Sequence, residues 1–221
     1  MTKTNQQKVK DFLINNGVII VMFILVIYTG FTSDNFFTKN NFMNILMNMS
    51  SRLVIALGIA GCVITAGCDL SAGRMIGFGA CISGMLLQRM DYSGKFFPDM
   101  QPLNVFVVAL IAMLVCAAFG TVTGFFIAYL NVPPFIATLA MMEIVYGIGL
   151  IVTNATPLGG YVEQYTNVSN GKFLGINYLI WIAIIVAAIT WFIFNMTRHG
   201  KYMYAIGGNP QAAEVAGVPV K

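Results

Sequence analysis

The chain has 221 residues, of which 58% are hydrophobic and 9% are charged. Soluble domains contain about 45–50% apolar and about 25% charged residues, so this composition excludes a soluble domain and indicates an integral membrane protein. The formal net charge is +4. The basic residues are scattered in short connections and at the two ends, which favours membrane orientation over nucleic-acid binding.

Apolar runs in chain order predict an all-α polytopic bundle of about six membrane-spanning helices. Residues 12–31 rise about 30 Å as a helix, which is the hydrocarbon thickness, and no small-residue cleavage site follows, so an uncleaved span is favoured over a secretory signal. Residues 53–87 contain two apolar runs around a polar insert. They predict two crossings, the first beginning at about residue 42 and the second ending at about residue 90. With a single crossing here, the N-terminal and C-terminal tails of the chain would lie on opposite sides of the membrane. Single crossings are predicted at 105–130, 135–152 and 174–194.

The distribution of Lys and Arg predicts a cytoplasmic N-terminus. With residues 1–11 inside, seven basic residues lie on the inner side and five on the outer side. The inner ones are Lys3, Lys8, Lys10, Arg74, Arg198, Lys201 and Lys221; the outer ones are Lys39, Arg52, Arg89, Lys95 and Lys172. Residues 154–173 then form an outer loop, which is either a docking surface for an extracytoplasmic protein or a solvated connection.

A polar insert, here called the polar break (residues 66–74), interrupts the second apolar region. It contains Asp69, Ser71, Gly73 and Arg74. An unsatisfied backbone group in hydrocarbon costs several kcal/mol, so the break must face protein or water. One interpretation is structural: Asp69 caps a helix that begins near Leu70, and Arg74 pairs with a carboxylate or a lipid headgroup. The other interpretation is that these residues line a solute path.

A tight helical hairpin is predicted at Asn131, Pro133 and Pro134, called the hairpin turn (residues 131–134). Asn131 tolerates a left-handed helix stop and the prolines block continuation. In the next span, Glu143 is an acid with no evident partner. It suggests either a packing residue or, as an alternative function, a proton-coupled secondary carrier.

Residues 197–219, called the 197–219 segment, form a polar module directly behind the last apolar run. Asn209 is an N-cap, Pro210 suits the first helical position and Gly217 suits a left-handed stop, which predicts a helix of about two turns. Its small residues would let another protein approach closely. The predicted contact residues are Gly207, Gly208, Asn209, Pro210, Ala212, Ala213, Glu214 and Gly217.

The remaining motifs favour packing over catalysis. Cys62, Cys68, Cys81 and Cys116 lack metal-like spacing and are predicted to be small buried hydrophobes. Gly120 and Gly124 form a GxxxG pair, which is typical of a packing face between spans. The sequence contains no Walker phosphate loop and no Ser-His-Asp arrangement, so no catalytic residue and no metal site are predicted.

Three motifs together resemble the permease subunits of bacterial ABC importers for monosaccharides, the ribose/galactose class. These are the 197–219 segment, with Ala205-Ile-Gly-Gly-Asn209; the run Asp69-Leu-Ser-Ala-Gly73; and the run from Asn131 through Pro133 and Pro134 to Leu139. The resemblance covers essentially the whole chain. Details around the polar break and at residues 88–98 are most similar to galactose-carrying members.

The resemblance implies a single permease domain in the bacterial plasma membrane with several partners. They are an ABC ATPase bound to the 197–219 segment, a second permease copy, a periplasmic or lipid-anchored sugar-binding protein and membrane lipid, with no nucleic acid. ATP and Mg would be used by the ATPase, and this chain would carry no cofactor. The family continues beyond position 221, so an N-terminal fragment is expected. A non-transporting interaction protein is the alternative if that end is natural.

Overall fold

The computed structural model describes residues 13–220. The predicted tail 1–11, the first residue of the first span and Lys221 lie outside the described residues. Contacts divide the chain into two compact units, one ending at Asn48 and the other beginning at Met49. The elements are α1 (Gly17–Thr32), α2 (Lys39–Ile64), α3 (Ala72–Leu86), α4 (Val105–Leu130), α5 (Pro134–Thr153), α6 (Glu163–Asn170), β1 (Lys172–Phe173), β2 (Ile176–Asn177), α7 (Tyr178–Met196), α8 (Arg198–Gly208) and α9 (Pro210–Val215).

The predicted all-α architecture is confirmed. Over residues 13–220, four helices are long and apolar enough to cross a membrane, namely α2, α4, α5 and α7, while α1 and α3 are apolar but shorter. The 15 residues of α3 rise about 22 Å, which is less than the ~30 Å hydrocarbon layer. Helix α1 has no buried residue, as expected for an apolar helix that faces lipid or further polypeptide.

One sequence-based boundary and the placement of one basic residue are wrong. The last span begins at Tyr178 rather than at residue 174, because Lys172–Asn177 forms a two-stranded antiparallel hairpin. The Asn177 side chain accepts from the Leu179 backbone N–H at 2.8 Å, so it is the N-cap that the hydropathy pattern did not reveal. Arg52 lies within α2 instead of in an outer loop, which weakens the charge count that was used for orientation.

In the second unit, α3 packs against both α4 and α5. The buried cluster between them consists of Phe78, Ile82, Ala112, Met141 and Val145. The Phe78 and Phe119 rings meet edge to face, with centroids 5.6 Å apart. Since lipid is as apolar as these side chains, such shape-matched contacts and close helix approach hold the three helices together.

Two connections of this unit are joined through Gln88, which is 1% exposed. Its amide nitrogen donates to the Gly159 carbonyl at 3.0 Å, and its amide oxygen accepts from the Phe96 N–H at 2.7 Å. Gly160 has φ +69°, and a Cβ there would collide with the Tyr92 ring. These contacts fix the 88–100 and 154–162 connections to each other, at what we call the Gln88 end of the unit.

Replacing Gln88 with Leu should lower the free energy of unfolding by about 2 kcal/mol, because two partly buried backbone groups lose their partners. Thermal unfolding of the full-length protein in detergent measures this loss. Gln101→Leu is the matched control, since Gln101 is exposed in the same connection. Equal unfolding temperatures for the two variants would contradict the assigned role of Gln88.

Candidate functional site: a cavity at the polar break and the segment beside it

A cavity of about 320 Å³ lies beside the polar break in the second unit. The end of α2, the break itself, the middle of α4 and the start of α5 form its walls. Its polar lining comes from Thr65, Asp69, Ser71, Thr123 and Thr138. We call it the break cavity.

The break begins with a left-handed stop at the end of α2. Ala66 has φ +59°. The Gly67 N–H donates to the Cys62 carbonyl at 2.8 Å and the Ala66 N–H to the Val63 carbonyl at 3.1 Å, which is the Schellman pattern. Two of the carbonyls that the helix end would leave unpaired are thereby satisfied.

Asp69 accepts two hydrogen bonds from Ser71, through the backbone N–H at 2.8 Å and the hydroxyl at 2.6 Å. This is a short side-chain-to-backbone turn directly before a helix start. The predicted helix start near Leu70 is corrected, because α3 begins at Ala72. Ser71 is 5% exposed, so the Asp69–Ser71 pair forms a buried corner of the cavity wall.

The hairpin turn has the predicted geometry. Asn131 has φ +52° and ends α4, and Pro134 is the first residue of α5. The Thr138 hydroxyl donates to the Pro134 carbonyl at 2.8 Å and lies 3.3 Å from the Cys68 carbonyl. The start of α5 is therefore attached to the polar break.

Gly73 and Arg74 do not line the break cavity. They lie on a second groove of about 210 Å³ between α3 and α5. The Arg74 guanidinium carbon is 4.0 Å from the centroid of the Tyr146 ring, which is cation–π distance. Of the two predicted partners, a carboxylate or a lipid headgroup, the structure shows no carboxylate beside Arg74 among the described residues, and an aromatic face lies there instead.

The structure corrects two predictions about small residues. Cys62 and Cys68 are exposed rather than buried, and both line the break cavity. A Cβ at Gly120 or Gly124 would meet nothing within 4 Å. This pair makes no close helix contact among the described residues, and it opens space in the cavity wall instead.

The local signals of the 197–219 segment are confirmed. The Asn209 side chain accepts from the Ala212 N–H at 3.0 Å, Pro210 begins α9, and Gly217 has φ +81°. At the start of α8, Thr197 is the N-cap, because its hydroxyl accepts from the Gly200 N–H at 3.3 Å. Helix α8 packs against α7, and α9 packs against α8.

Two predicted contact residues of this segment face inward. Ala213 is 5% exposed, because its position on α9 turns its side chain toward the rest of the protein. Gly207 approaches α2 so closely that a Cβ would collide with the Ile64 carbonyl. An exposed apolar face of α9 and its C-cap consists of Ala212, Val215 and Ala216, with Val215 90% exposed, and Gln211 and Glu214 are exposed beside it.

The polar break, the hairpin turn and the 197–219 segment therefore lie at one end of the unit, which we call the break end. Thr138 joins the hairpin turn to the break, and Gly207 joins α8 to the end of α2. Helix α3 runs from this end to the Gln88 end. This arrangement agrees with two separate helices in the 53–87 region rather than one interrupted span.

Sequence reasoning missed three residues that organise the site and its surroundings: Gln88, Thr138 and Tyr146. Thr138 follows Pro134 by one helical turn, so its bond to the Pro134 carbonyl could have been inferred. The contacts of Gln88 and Tyr146 join positions far apart in the chain and left no local signal. Glu143 is exposed on α5 and does not line the break cavity.

The fold and the site define a class: a polytopic helical membrane protein with a polar break and, at the same end, a packed polar segment of two short helices. The chain belongs to the family described as branched-chain amino acid transport system / permease component, which matches residues 41–221.

Named relatives match over most or all of this chain. The galactose/methyl galactoside import permease protein MglC of Escherichia coli is 40% identical over 227 residues, covering 100% of this chain and 68% of the relative. The protein of the same name from Treponema pallidum is 34% identical, covering 95% of this chain and 44% of the relative. The ribose import permease protein RbsC of Escherichia coli is 31% identical, covering 96% and 63%. No solved structure matches the chain at a significant level.

Replacing Asp69 with Ala should destabilise the protein by about 1 kcal/mol or more, because the Ser71 N–H and hydroxyl lose their acceptor. Asp69→Asn keeps an acceptor oxygen and should retain most of the stability. Thermal unfolding of the full-length protein in detergent measures both changes, with Asp99→Ala in an exposed connection as the control. An Asp69→Ala protein with unchanged stability and an altered solute preference would instead favour a role in the solute path.

Proposed function

We propose that this chain is the membrane permease subunit of an ABC importer that carries a monosaccharide, namely galactose, methyl galactoside or a similar sugar. The family description names amino acid transport, but the relatives above are named for sugars. Identity is higher to the galactose/methyl galactoside permease, at 40%, than to the ribose permease, at 31%. The difference favours a galactoside over ribose.

The observation that carries the proposal is the exposed face of α9. Ala212, Val215 and Ala216 present small or apolar side chains to solvent in a helix that is fixed at both ends by Asn209 and Gly217. A rigid exposed surface of this kind suits a groove on a partner protein. The partner is an ABC ATPase, which uses ATP and Mg, and this chain supplies transport without catalysis.

The other partners follow from the same proposal. A second permease copy completes the path, and a periplasmic or lipid-anchored binding protein delivers the sugar at the Gln88 end. The connections at that end are held in one conformation by Gln88 and Tyr92, as a receptor surface would require. The break end, with the 197–219 segment, faces the cytoplasm, and so does the N-terminus, in the bacterial inner membrane.

A proton-coupled carrier is less well supported. Such a carrier would place Glu143 in a coupled site near the solute. The structure has Glu143 exposed on α5, away from the break cavity. Relatives named as import permeases cover the full chain, which also argues against a non-transporting interaction protein.

Sugar uptake tests the proposal directly. The full-length permease is expressed with its ATPase and binding protein in cells that lack galactoside permeases, and uptake of radiolabelled methyl galactoside and of ribose is measured. Methyl galactoside is expected to accumulate in an ATP-dependent manner and to exceed ribose. Ribose-only uptake would change the assigned sugar, and uptake abolished by a protonophore with ATP maintained would overturn the ABC assignment.

Val215→Glu in that system should abolish uptake and co-purification of the ATPase, because a charge would enter an apolar contact without a partner. Leu174→Glu is the matched control. Leu174 is 79% exposed at the β-hairpin turn, and this variant should retain the ATPase. Co-purification of the ATPase with Val215→Glu at the parental level would count against docking through α9.

Orientation has its own test, with Gln211→Cys and Ser169→Cys introduced separately into a full-length protein without native cysteines. Both positions are exposed. A membrane-impermeant maleimide applied to intact spheroplasts should label Ser169→Cys, whereas Gln211→Cys should react only after lysis. Labelling of Gln211→Cys from outside would reverse the proposed topology.

A further inference from the structure

The last turn of α2 both forms part of the break cavity wall and contacts α8. Cys62 and Thr65 form part of the wall of the break cavity. Gly61 and Ile64, on the same turn, are contacted by α8. A displacement of α8 toward α2 would therefore press on a segment that shapes the cavity.

The contact between α8 and this turn is close and involves backbone. A Cβ on Gly207 would collide with the Ile64 carbonyl, and it would also lie 3.4 Å from the Thr65 Cα. Beside this point, the tip of Met203 would lie 3.1 Å from a Cβ on Gly61, and Met203 is itself 9% exposed. Backbone atoms have no alternative rotamers, so a push at Gly207 is passed on rather than absorbed.

The connection from α9 to this contact is short. The Asn209 N–H donates to the Ala205 carbonyl at 3.1 Å, and the Asn209 side chain caps α9. One residue thus ends α8 and starts α9. Gly207 lies two positions before it, on the face toward α2.

We propose that Gly207 is a positioning residue of the transport cycle, through which α8 acts on the last turn of α2 and alters the shape of the break cavity. This inference rests on the proposed function, since it assumes that an ATPase moves α9. It assigns Gly207 to the inside of the permease, whereas the exposed face of α9 contacts the partner. The Schellman stop at Ala66 fixes the geometry between the last turn of α2 and the polar break.

Three variants test the contact in the full-length permease assembled with its ATPase and binding protein. Gly207→Ala places a methyl group against the Ile64 carbonyl. Gly61→Ala is a milder probe of the same interface, because the flexible Met203 tip has room to move. Gly58→Ala, one turn earlier on α2, is the matched control, since its Cβ would meet nothing within 4 Å.

The readout is the reactivity of Cys62, an exposed thiol in the cavity wall. The other three cysteines are replaced by alanine, and the rate of maleimide labelling is measured with and without trapped ATP in the purified complex. Sugar uptake, ATP hydrolysis, ATPase co-purification and thermal stability are measured on the same variants. If Gly207 had only a structural role, Gly207→Ala would lower the stability or the assembly of the complex. The fraction that assembles would then still show ATP-dependent labelling of Cys62.

In the parent complex, trapped ATP is expected to change the labelling rate of Cys62. Gly207→Ala should lose this change and should lower uptake about tenfold or more, as small misplacements remote from the reaction do, while ATPase co-purification and hydrolysis persist. Gly58→Ala should match the parent. If Gly207→Ala fails to assemble, Gly61→Ala carries the test, and a partial loss of the ATP-dependent change is expected.

Parental uptake and parental ATP-dependent labelling in Gly207→Ala, or in Gly61→Ala where Gly207→Ala does not assemble, would overturn the inference. So would a parent complex that transports sugar with no effect of ATP on Cys62. A parent that neither transports sugar nor binds the ATPase would instead overturn the proposed function, so the two failures are distinguishable.

Discussion

The second unit depends on one constraint: where a helix ends against its neighbours, the backbone polar groups of that end need partners. Between Ile64 and Ala72 the chain supplies several of these partners with its own atoms. The Schellman bonds at Gly67 and Ala66 close α2, and Asp69 holds the Ser71 N–H before α3 begins. Because these bonds are local, the break is a rigid corner rather than a loose loop, and neighbouring elements are positioned against it.

Two neighbours use that corner in different ways. From one side, Thr138 brings the start of α5 to the Cys68 carbonyl, so the hairpin turn follows the break. From the other side, Gly207 allows α8 to lie directly on the last turn of α2. The break cavity is bordered by the end of α2, the break, the start of α5 and α4, where Gly120 and Gly124 leave space that larger side chains would fill. Its volume is therefore set by helix ends, which are the parts of a bundle that a rigid-body movement displaces most.

Much of the architecture could be predicted because its causes are local in sequence. The run 105–130 matches α4, Asn131 and Pro134 mark the hairpin turn, and Asn209 and Gly217 mark the ends of α9. The errors have a common origin in contacts between distant residues. Hydropathy does not show that Asn177 caps α7 behind a small hairpin, and spacing does not show that Cys62 faces a cavity. The inward orientation of Gly207 depends on where Ile64 lies.

Gly207 and Gly208 are adjacent glycines, and the sequence alone does not distinguish their surroundings. A side chain at Gly207 would meet the backbone of α2, whereas one at Gly208 would meet nothing within 4 Å. The pair thus combines a face toward the bundle with a face toward solvent at the point where α8 passes into α9. If a partner binds the exposed face of α9, the end of α8 that adjoins α9 also contacts the last turn of α2, which is part of the cavity wall. Coupling between the exposed face of α9 and the break cavity then requires no long pathway. A rigid α8, with one face toward the bundle and one toward solvent, is sufficient.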